Sequence, residues 1–246
     1  MSLKDELEKQ GQWLFRRRSY LPLLVLPLVL AALKDADYLE RIGGETTEEL
    51  WHGFCLTISF LGLIVRGMTV GHAPRGTSGR NTKEQKAEML NMTGMYSIMR
   101  HPLYFGNFLM ILGIAMFLGV WWLPLFAILM FWLYYERIMI AEEEFLKSKF
   151  GDQYLNWANR TPAFLPNFKK WLKPDFPFSF KMALAREYTG FFVMTTAVAL
   201  LDDLEDILID NTIDWPWTIL FAVGFMTYML LRFLKKRTNF LYVEGR

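Results

Sequence analysis

The chain is 246 residues long, 53% hydrophobic and 16% aromatic, with nine tryptophans and a mean hydropathy of +0.17. So apolar a composition is unusual for a soluble domain of this size and makes a membrane the default solvent. The formal net charge of +2 leaves no global basic field to recruit nucleic acid, and the single cysteine, Cys55, excludes an internal disulfide and reads as a small buried hydrophobe.

Six apolar runs follow one another along the chain. Ser19 to Leu33 comes after the basic stretch "FRRRSY". A secretory signal would look similar, but the long leading region carries Asp5, Glu6 and Glu8 and the run contains Pro22 and Pro27, so it reads as an uncleaved anchor. Trp51 to Gly71 crosses if Arg66 snorkels toward one interface. Leu103 to Leu123 is uncharged throughout and long enough, as a helix, for about 30 Å of hydrocarbon. The chain then turns at "FLGVWWLP", Phe117 to Pro124, and returns through Pro124 to Ala141, provided Glu136 and Arg137 lie near the end of the run or face protein. Tyr188 to Leu201 is short and, like the first run, needs flanking polar residues or a thinned bilayer. Trp215 to Leu231 closes the series. The expected fold is therefore all-α, a polytopic membrane protein of about six transmembrane helices.

Charge placement orients these crossings. The second loop carries Arg75, Arg80, Lys83, Lys86 and Arg100, and the next loop on that side carries Lys147, Lys149, Arg160, Lys169, Lys170, Lys173, Lys181 and Arg186. The tail adds "RFLKKR", whereas "DDLEDILIDNTID" between the last two runs has no positive charge. The basic loops and both ends are expected in the cytosol.

At the cytosolic mouth of the third run stands "YSIMRHPLYFGNF", Tyr96 to Phe108. Singly, Arg100 is an interfacial anchor, His101 an amphipathic interface residue and Pro102 a proline in the first helical turn, where its missing N–H costs nothing. The fourth run brings "YYERIMIAEEEFLKSKFGDQYLNWANRTPAFLP" back to the same side. Glu136 and Glu143 share one helical face there, and Arg137 and Glu144 share the next. Acid is thus set against the Arg-His mouth. Solvated charge at a helix end would explain Glu142 to Glu144, but Glu136 and Arg137 fall inside the apolar run, where ionisable groups are costly and more often functional.

These residues resemble the isoprenylcysteine carboxyl methyltransferase and phospholipid methyltransferase group of integral membrane enzymes. That group carries Arg-His-Pro-x-Tyr-x-Gly, then a helical hairpin, then Glu-Glu, Phe-Gly, two spaced aromatics and Arg-x-Pro before a Leu-x-Pro-like end. Here the matches are Arg100, His101, Pro102, Tyr104 and Gly106, then Glu142, Glu143, Phe150, Gly151, Tyr154, Trp157, Arg160, Pro162, Leu165 and Pro166, with Gly94 and Tyr96 upstream. Met95, Ser97 and Trp157 depart from the group's usual proline, arginine and tyrosine. The resemblance covers roughly 71–167 and implies a catalytic core there with a cytosolic cofactor-binding end. It leaves 1–70 as N-terminal membrane helices and 168–246 as an interfacial segment with two further helices.

The resemblance implies S-adenosylmethionine as methyl donor. The chain has no GxGxxG between a strand and a helix, in keeping with a site that is not a soluble dinucleotide fold. Glu142 or Glu143 would bind the ammonium group, and His101 with the backbone of Pro102 and Leu103 would contact the nucleoside or carboxylate. Tyr104 would pack on the cofactor, and Gly106 completes the motif. Arg100, with Arg160 as second candidate, would orient an anionic acceptor beside Glu143. A membrane sterol reductase shares the hairpin and the Arg-His-Pro pattern, but its nicotinamide cofactor's phosphates would be repelled by Glu142 to Glu144. A non-enzymatic lipid-binding protein is the third reading. Three histidines without ligand spacing make a metal site improbable.

The acceptor is expected to be a lipid, or a lipidated molecule, entering sideways from the bilayer. A lipid phosphate ranks ahead of a prenylcysteine carboxylate and of the amine of phosphatidylethanolamine, because Arg66, Arg75, Arg80 and Arg100 outnumber nearby acids. "GTSGRNTKEQ", Gly76 to Gln85, is a connector or a head-group loop. "WLKPDFPFSF", Trp171 to Phe180, reads as an interfacial segment that could roof the site. The protein is expected in a bacterial inner membrane or the endoplasmic reticulum, with its site facing the cytosol.

Overall fold

Helix α1, Leu3–Arg17, begins where Ser2 and Asp5 close a reciprocal cap: the Asp5 N–H donates to Ser2 Oγ at 3.2 Å and the Ser2 N–H to Asp5 Oδ2 at 2.8 Å. Asp5 and Glu6 in its first turn and Arg16 and Arg17 in its last complement the helix dipole. A computed structural model describes residues 2–18, 25–36, 38–74, 87–209 and 215–243 of the chain. Among these the architecture is all-helical: α2 Leu26–Ala32 followed by a 3-10 turn Leu33–Asp35, α3 Tyr38–Gly43, α4 Glu45–Gly71, α5 Met95–Ile98, α6 Pro102–Met116, α7 Trp122–Phe150, α8 Asp152–Ala158, α9 Phe180–Ile209 and α10 Trp215–Arg237.

The tightest crossing joins α4 to α6, and small residues make it. A Cβ on Gly62 would lie 2.5 Å from the Gly106 carbonyl oxygen and 2.8 Å from the Met110 nitrogen, and one on Gly113 would lie 2.5 Å from the Cys55 carbonyl oxygen. Ser59 Oγ donates across the seam to the Met110 carbonyl at 3.2 Å. With lipid tails as apolar as leucine, such close approach and interhelical hydrogen bonding are what hold membrane helices together. Helix α7 returns along α6 through aromatic contacts, with Phe108 and Phe131 ring centroids 5.1 Å apart, and α1 lies along α7 with Gly11 against the Arg137 carbonyl. Helix α9 packs on α4 and on α10, where Phe192 stacks on Tyr228 at 4.7 Å.

Among the described residues three helices, α4, α7 and α10, are long and apolar enough to cross a membrane by length and composition. They carry their apolar side chains outward, Phe54, Ile64, Leu129 and Met226 being exposed, which suits a hydrocarbon surround. The six expected crossings fare unequally. The runs 51–71 and 215–231 lie inside α4 and α10, and 124–141 lies inside α7. The third run, expected to reach Leu123, is helical only to Met116; those 15 residues span about 22 Å. The helix stops because Phe117, Leu118, Gly119 and Val120 fold into a turn buried against Leu33, Cys55, Val198 and Leu201, with the Trp51 indole donating to the Met116 carbonyl at 2.8 Å. Irregular backbone at this depth is tolerated because protein surrounds it.

The other two runs differ as well. The first run lies partly outside the described residues; its described part is α2 and the 3-10 turn. The fifth lies within α9, which continues through Asp202, Asp203, Glu205 and Asp206, expected as a loop. Asp202 meets the buried His52 at 3.7 Å, and Asp203 accepts from Thr218 at 3.2 Å, so these acids face α4 and α10.

Gly62→Ala is therefore expected to destabilise the protein by about 1–3 kcal/mol through overpacking. Gly67→Ala, where a Cβ meets nothing within 4 Å, should be neutral or slightly stabilising. Thermal denaturation of the detergent-solubilised variants checks the pair.

Candidate active site

The segment before α6 and the segment after α8 run together without forming a sheet. Arg100 N–H donates to the Pro162 carbonyl at 2.8 Å, His101 N–H to Ala163 at 3.1 Å, Asn167 N–H to Ile98 at 2.9 Å and Gly94 N–H to Leu172 at 3.0 Å. Gly94 has φ +59°, a conformation that side chains resist, and a Cβ there would sit 3.1 Å from Pro174. The segment from Trp171 to Phe180 is thereby tied to the end of α4 and to residues 94–97: the Phe176 carbonyl accepts from His72 Nδ1 at 2.8 Å, and Ser179 N–H donates to the Gly71 carbonyl at 2.9 Å. The loop Gly76 to Gln85, with Arg75, lies outside the described residues.

These bonds aim Arg100 and His101 at the end of α7. Glu143 Oε1 lies 2.9 Å from His101 Nε2 and also 2.9 Å from Arg100 Nε, while Glu142 Oε2 lies 3.5 Å from His101 Nδ1. Arg100 Nη1 donates to the Ala158 carbonyl at 2.9 Å. Arg100 Nε is close to the carboxylate but misaligned for a hydrogen bond, and the Tyr154 hydroxyl also faces Glu143. Pro102 opens α6 and is buried, Leu103 is half-buried, and Tyr104 stacks beside His101 at 5.6 Å.

Not every expected site residue joins this group. Gly106 faces α4, where a Cβ would lie 2.5 Å from Arg66 Cγ and 2.7 Å from the Gly62 carbonyl oxygen, so its smallness serves the helix crossing. Arg160 is exposed in the turn after α8, and it is its carbonyl, not its guanidinium, that Lys170 engages. Glu144 pairs with Lys4, and Arg137 turns to Gln10 of α1 at 2.8 Å.

Below the His101 layer lies a second polar cluster that the chain's local patterns did not reveal. Arg66 Nε and Nη2 donate to Glu187 Oε2 and Oε1 at 2.7 and 2.9 Å, Arg66 Nη1 donates to Asn107 Oδ1, and Asn107 Nδ2 donates to the Tyr135 hydroxyl at 3.1 Å. Removing one partner of so buried a pair costs about 3–5 kcal/mol. The available signal was an acid, Glu187, beside an apolar run, and an arginine, Arg66, within one. Arg66 is thus already neutralised, and Arg100 is engaged by Glu143, which weakens the arginine count behind the phosphate ranking.

Comparison with known proteins places these elements. The phospholipid methyltransferase family model matches residues 74–153, which contain both the Arg100 to Gly106 and the Glu142 to Glu143 elements. The chain is similar to a protein-S-isoprenylcysteine O-methyltransferase of Schizosaccharomyces pombe, 34% identical over 85 residues, 35% of this chain and 36% of that protein. It is similar to protein-S-isoprenylcysteine O-methyltransferase B of Arabidopsis thaliana, 32% identical over 117 residues, 46% of this chain and 58% of that protein. Residues 74–153 are thus similar to the phospholipid methyltransferase family, and the chain shares that stretch with proteins named isoprenylcysteine methyltransferases. The chain is also similar to the cobalt-zinc-cadmium resistance protein CzcN of Cupriavidus metallidurans, 32% identical over 116 residues, 47% of this chain and 53% of that protein. The chain spans 36% to 58% of the length of these relatives. No solved structure matches it.

Within the matched residues His101 is the titrating group that reports the geometry. Burial opposes its charged form, yet the hydrogen bonds and charges of Glu142 and Glu143 outweigh burial and hold its pKa above the ordinary 6.5. A pKa raised on folding adds stability that is fully present below 6.5 and is lost as pH rises through the folded-state value. NMR titration of labelled histidine should show His101 deprotonating above 6.5 in the parent, and at lower pH in Glu143→Gln.

Proposed function

We propose that this protein is an S-adenosylmethionine-dependent methyltransferase whose site, at the cytosolic face, acts on a lipid-like acceptor presenting an ionised oxygen. The observation that carries the reading is Glu143, which joins the two matched elements at one point, 2.9 Å from both His101 and Arg100.

The residues present fit the cofactor. The side chains of Glu142 and Glu143 remain 32% and 26% exposed, leaving carboxylate oxygens for an ammonium group, and Tyr104 offers a ring beside His101. The Arg100 guanidinium and the Tyr154 hydroxyl supply donors at the same place. When bound, S-adenosylmethionine supplies an electrophilic methyl group on a sulfonium. An ionised acceptor oxygen needs no base, so the protein's task is to align it and exclude water. Arg100 would orient that oxygen, held in place by Glu143 and the Ala158 carbonyl. Exposed Arg160 would matter less.

The nicotinamide reading has no comparable support, because the family match is to methyltransferases and two carboxylates occupy the mouth. Relatives named O-methyltransferases favour oxygen over nitrogen as acceptor atom. A lipid phosphate and a prenylcysteine carboxylate share the required chemistry. With Arg66 paired to Glu187, the preference between them loses its main basis.

Purified protein incubated with methyl-labelled S-adenosylmethionine and, separately, farnesylated cysteine, phosphatidic acid and phosphatidylethanolamine separates the acceptors. Label is expected on a carboxylate or phosphate oxygen, and label confined to ethanolamine nitrogen would overturn the oxyanion reading. Arg100→Lys is expected to lower the rate by about 100-fold through lost alignment, whereas Arg160→Ala should leave it within a few-fold of the parent.

A further inference from the structure

The cluster below His101 draws one residue from each of four helices, and its links end on the aromatic wall of the site. Glu187 of α9 takes both Nε and Nη2 of Arg66, which fixes the guanidinium plane. Arg66 Nη1 then holds Asn107 Oδ1, and Asn107 Nδ2 holds the Tyr135 hydroxyl, so both ends of the amide are committed and its orientation is set. The Tyr135 ring lies 5.0 Å from Tyr104, which lies 5.6 Å from His101. The Arg66 stem passes over Gly106, where a side chain would displace it. Arg66 and Glu187 both fall outside the matched residues 74–153.

We infer that Glu187 is a positioning residue for the acceptor side of the site, acting through Arg66 and Asn107 on Tyr135. The inference rests on the methyl-transfer reading. An arginine alone at this depth would turn toward an interface and draw water with it. Glu187 cancels the charge and gives the fork one orientation, so the Asn107 amide and the Tyr135 ring have one as well. The pair bonds Asn107, one turn of α6 further into its apolar run than Tyr104, whereas Glu142 and Glu143 contact His101 at the start of that helix. Its loss should therefore affect the acceptor, entering from the bilayer, and spare the methyl donor. By the same linkage α9 is a working part of the site.

The test uses the full-length protein in detergent, with labelled S-adenosylmethionine and whichever of farnesylated cysteine, phosphatidic acid or phosphatidylethanolamine accepts label. Glu187→Gln and Arg66→Lys are expected to lower kcat/KM for that acceptor about 10- to 100-fold, with the calorimetric Kd for S-adenosylmethionine within about twofold of the parent. Exposed Val193→Ala on the same helix serves as control. The double variant Arg66→Gln with Glu187→Gln removes both charges together, so it should fold as stably as the parent and still show the kinetic loss. Parental kinetics in the double variant would overturn the inference by showing that the pair only balances charge. A weakened S-adenosylmethionine Kd in step with kcat/KM would overturn the acceptor-side assignment. A parent that binds no S-adenosylmethionine would overturn the methyl-transfer reading itself, a result distinct from both.

Discussion

One carboxylate oxygen, Glu143 Oε1, lies 2.9 Å from His101 Nε2 and 2.9 Å from Arg100 Nε, and the placement of this end of the helices follows from it. Arg100 and His101 belong to the strand-like segment that enters α6, whereas Glu143 belongs to the far end of α7. The His101 contact is a charge-assisted hydrogen bond of roughly 1.5–3 kcal/mol where it is shielded from water, and Arg100 adds an ion pair. They are backed by the Arg100 and His101 N–H groups, which donate to Pro162 and Ala163, so the segment after α8 is held to the same point. Glutamine in place of Glu143 would keep the shape and lose the charge that both partners require.

The depth of the site depends on how closely α4 and α6 approach. Gly62 and Gly113 allow backbone contact, and Gly106 leaves room for the Arg66 stem. That spacing puts Arg66 within reach of Asn107 on α6 and Glu187 on α9 at the same level. Small residues in the crossing, a neutralised arginine beneath the site and a fixed aromatic wall are thus one arrangement. A larger residue at Gly106 would disturb the Arg66 to Tyr135 linkage before it touched His101.

Much of this was legible in the chain. The apolar runs 51–71 and 215–231 lie within α4 and α10, because sustained apolarity of that length has few other uses. The helical spacing that put Glu143 on a common face with Glu136, together with the return of α7, anticipated acid beside Arg100 and His101. What escaped was set by tertiary contact. The turn expected at Phe117 to Pro124 forms after α6 stops at Met116, with Gly119 at φ +66°, but its burial against Leu33, Cys55, Val198 and Leu201 has no local signature. Arg66 and Glu187 are 121 residues apart, so their pairing has no local signature. Helix α1 does have a local signature, the reciprocal cap of Ser2 and Asp5. Arg160 matched a motif position, yet its turn leaves it in solvent.

Calorimetry of S-adenosylmethionine binding to the detergent-solubilised protein bears most directly on the joint role of the two matched elements. The parent should bind, and His101→Ala and Glu143→Gln should each weaken binding by at least about tenfold, or 1.4 kcal/mol, while both variants remain folded by circular dichroism. A parent that does not bind, or two variants that bind as tightly as the parent, would contradict the assignment of the methyl-donor site to Glu143 and His101.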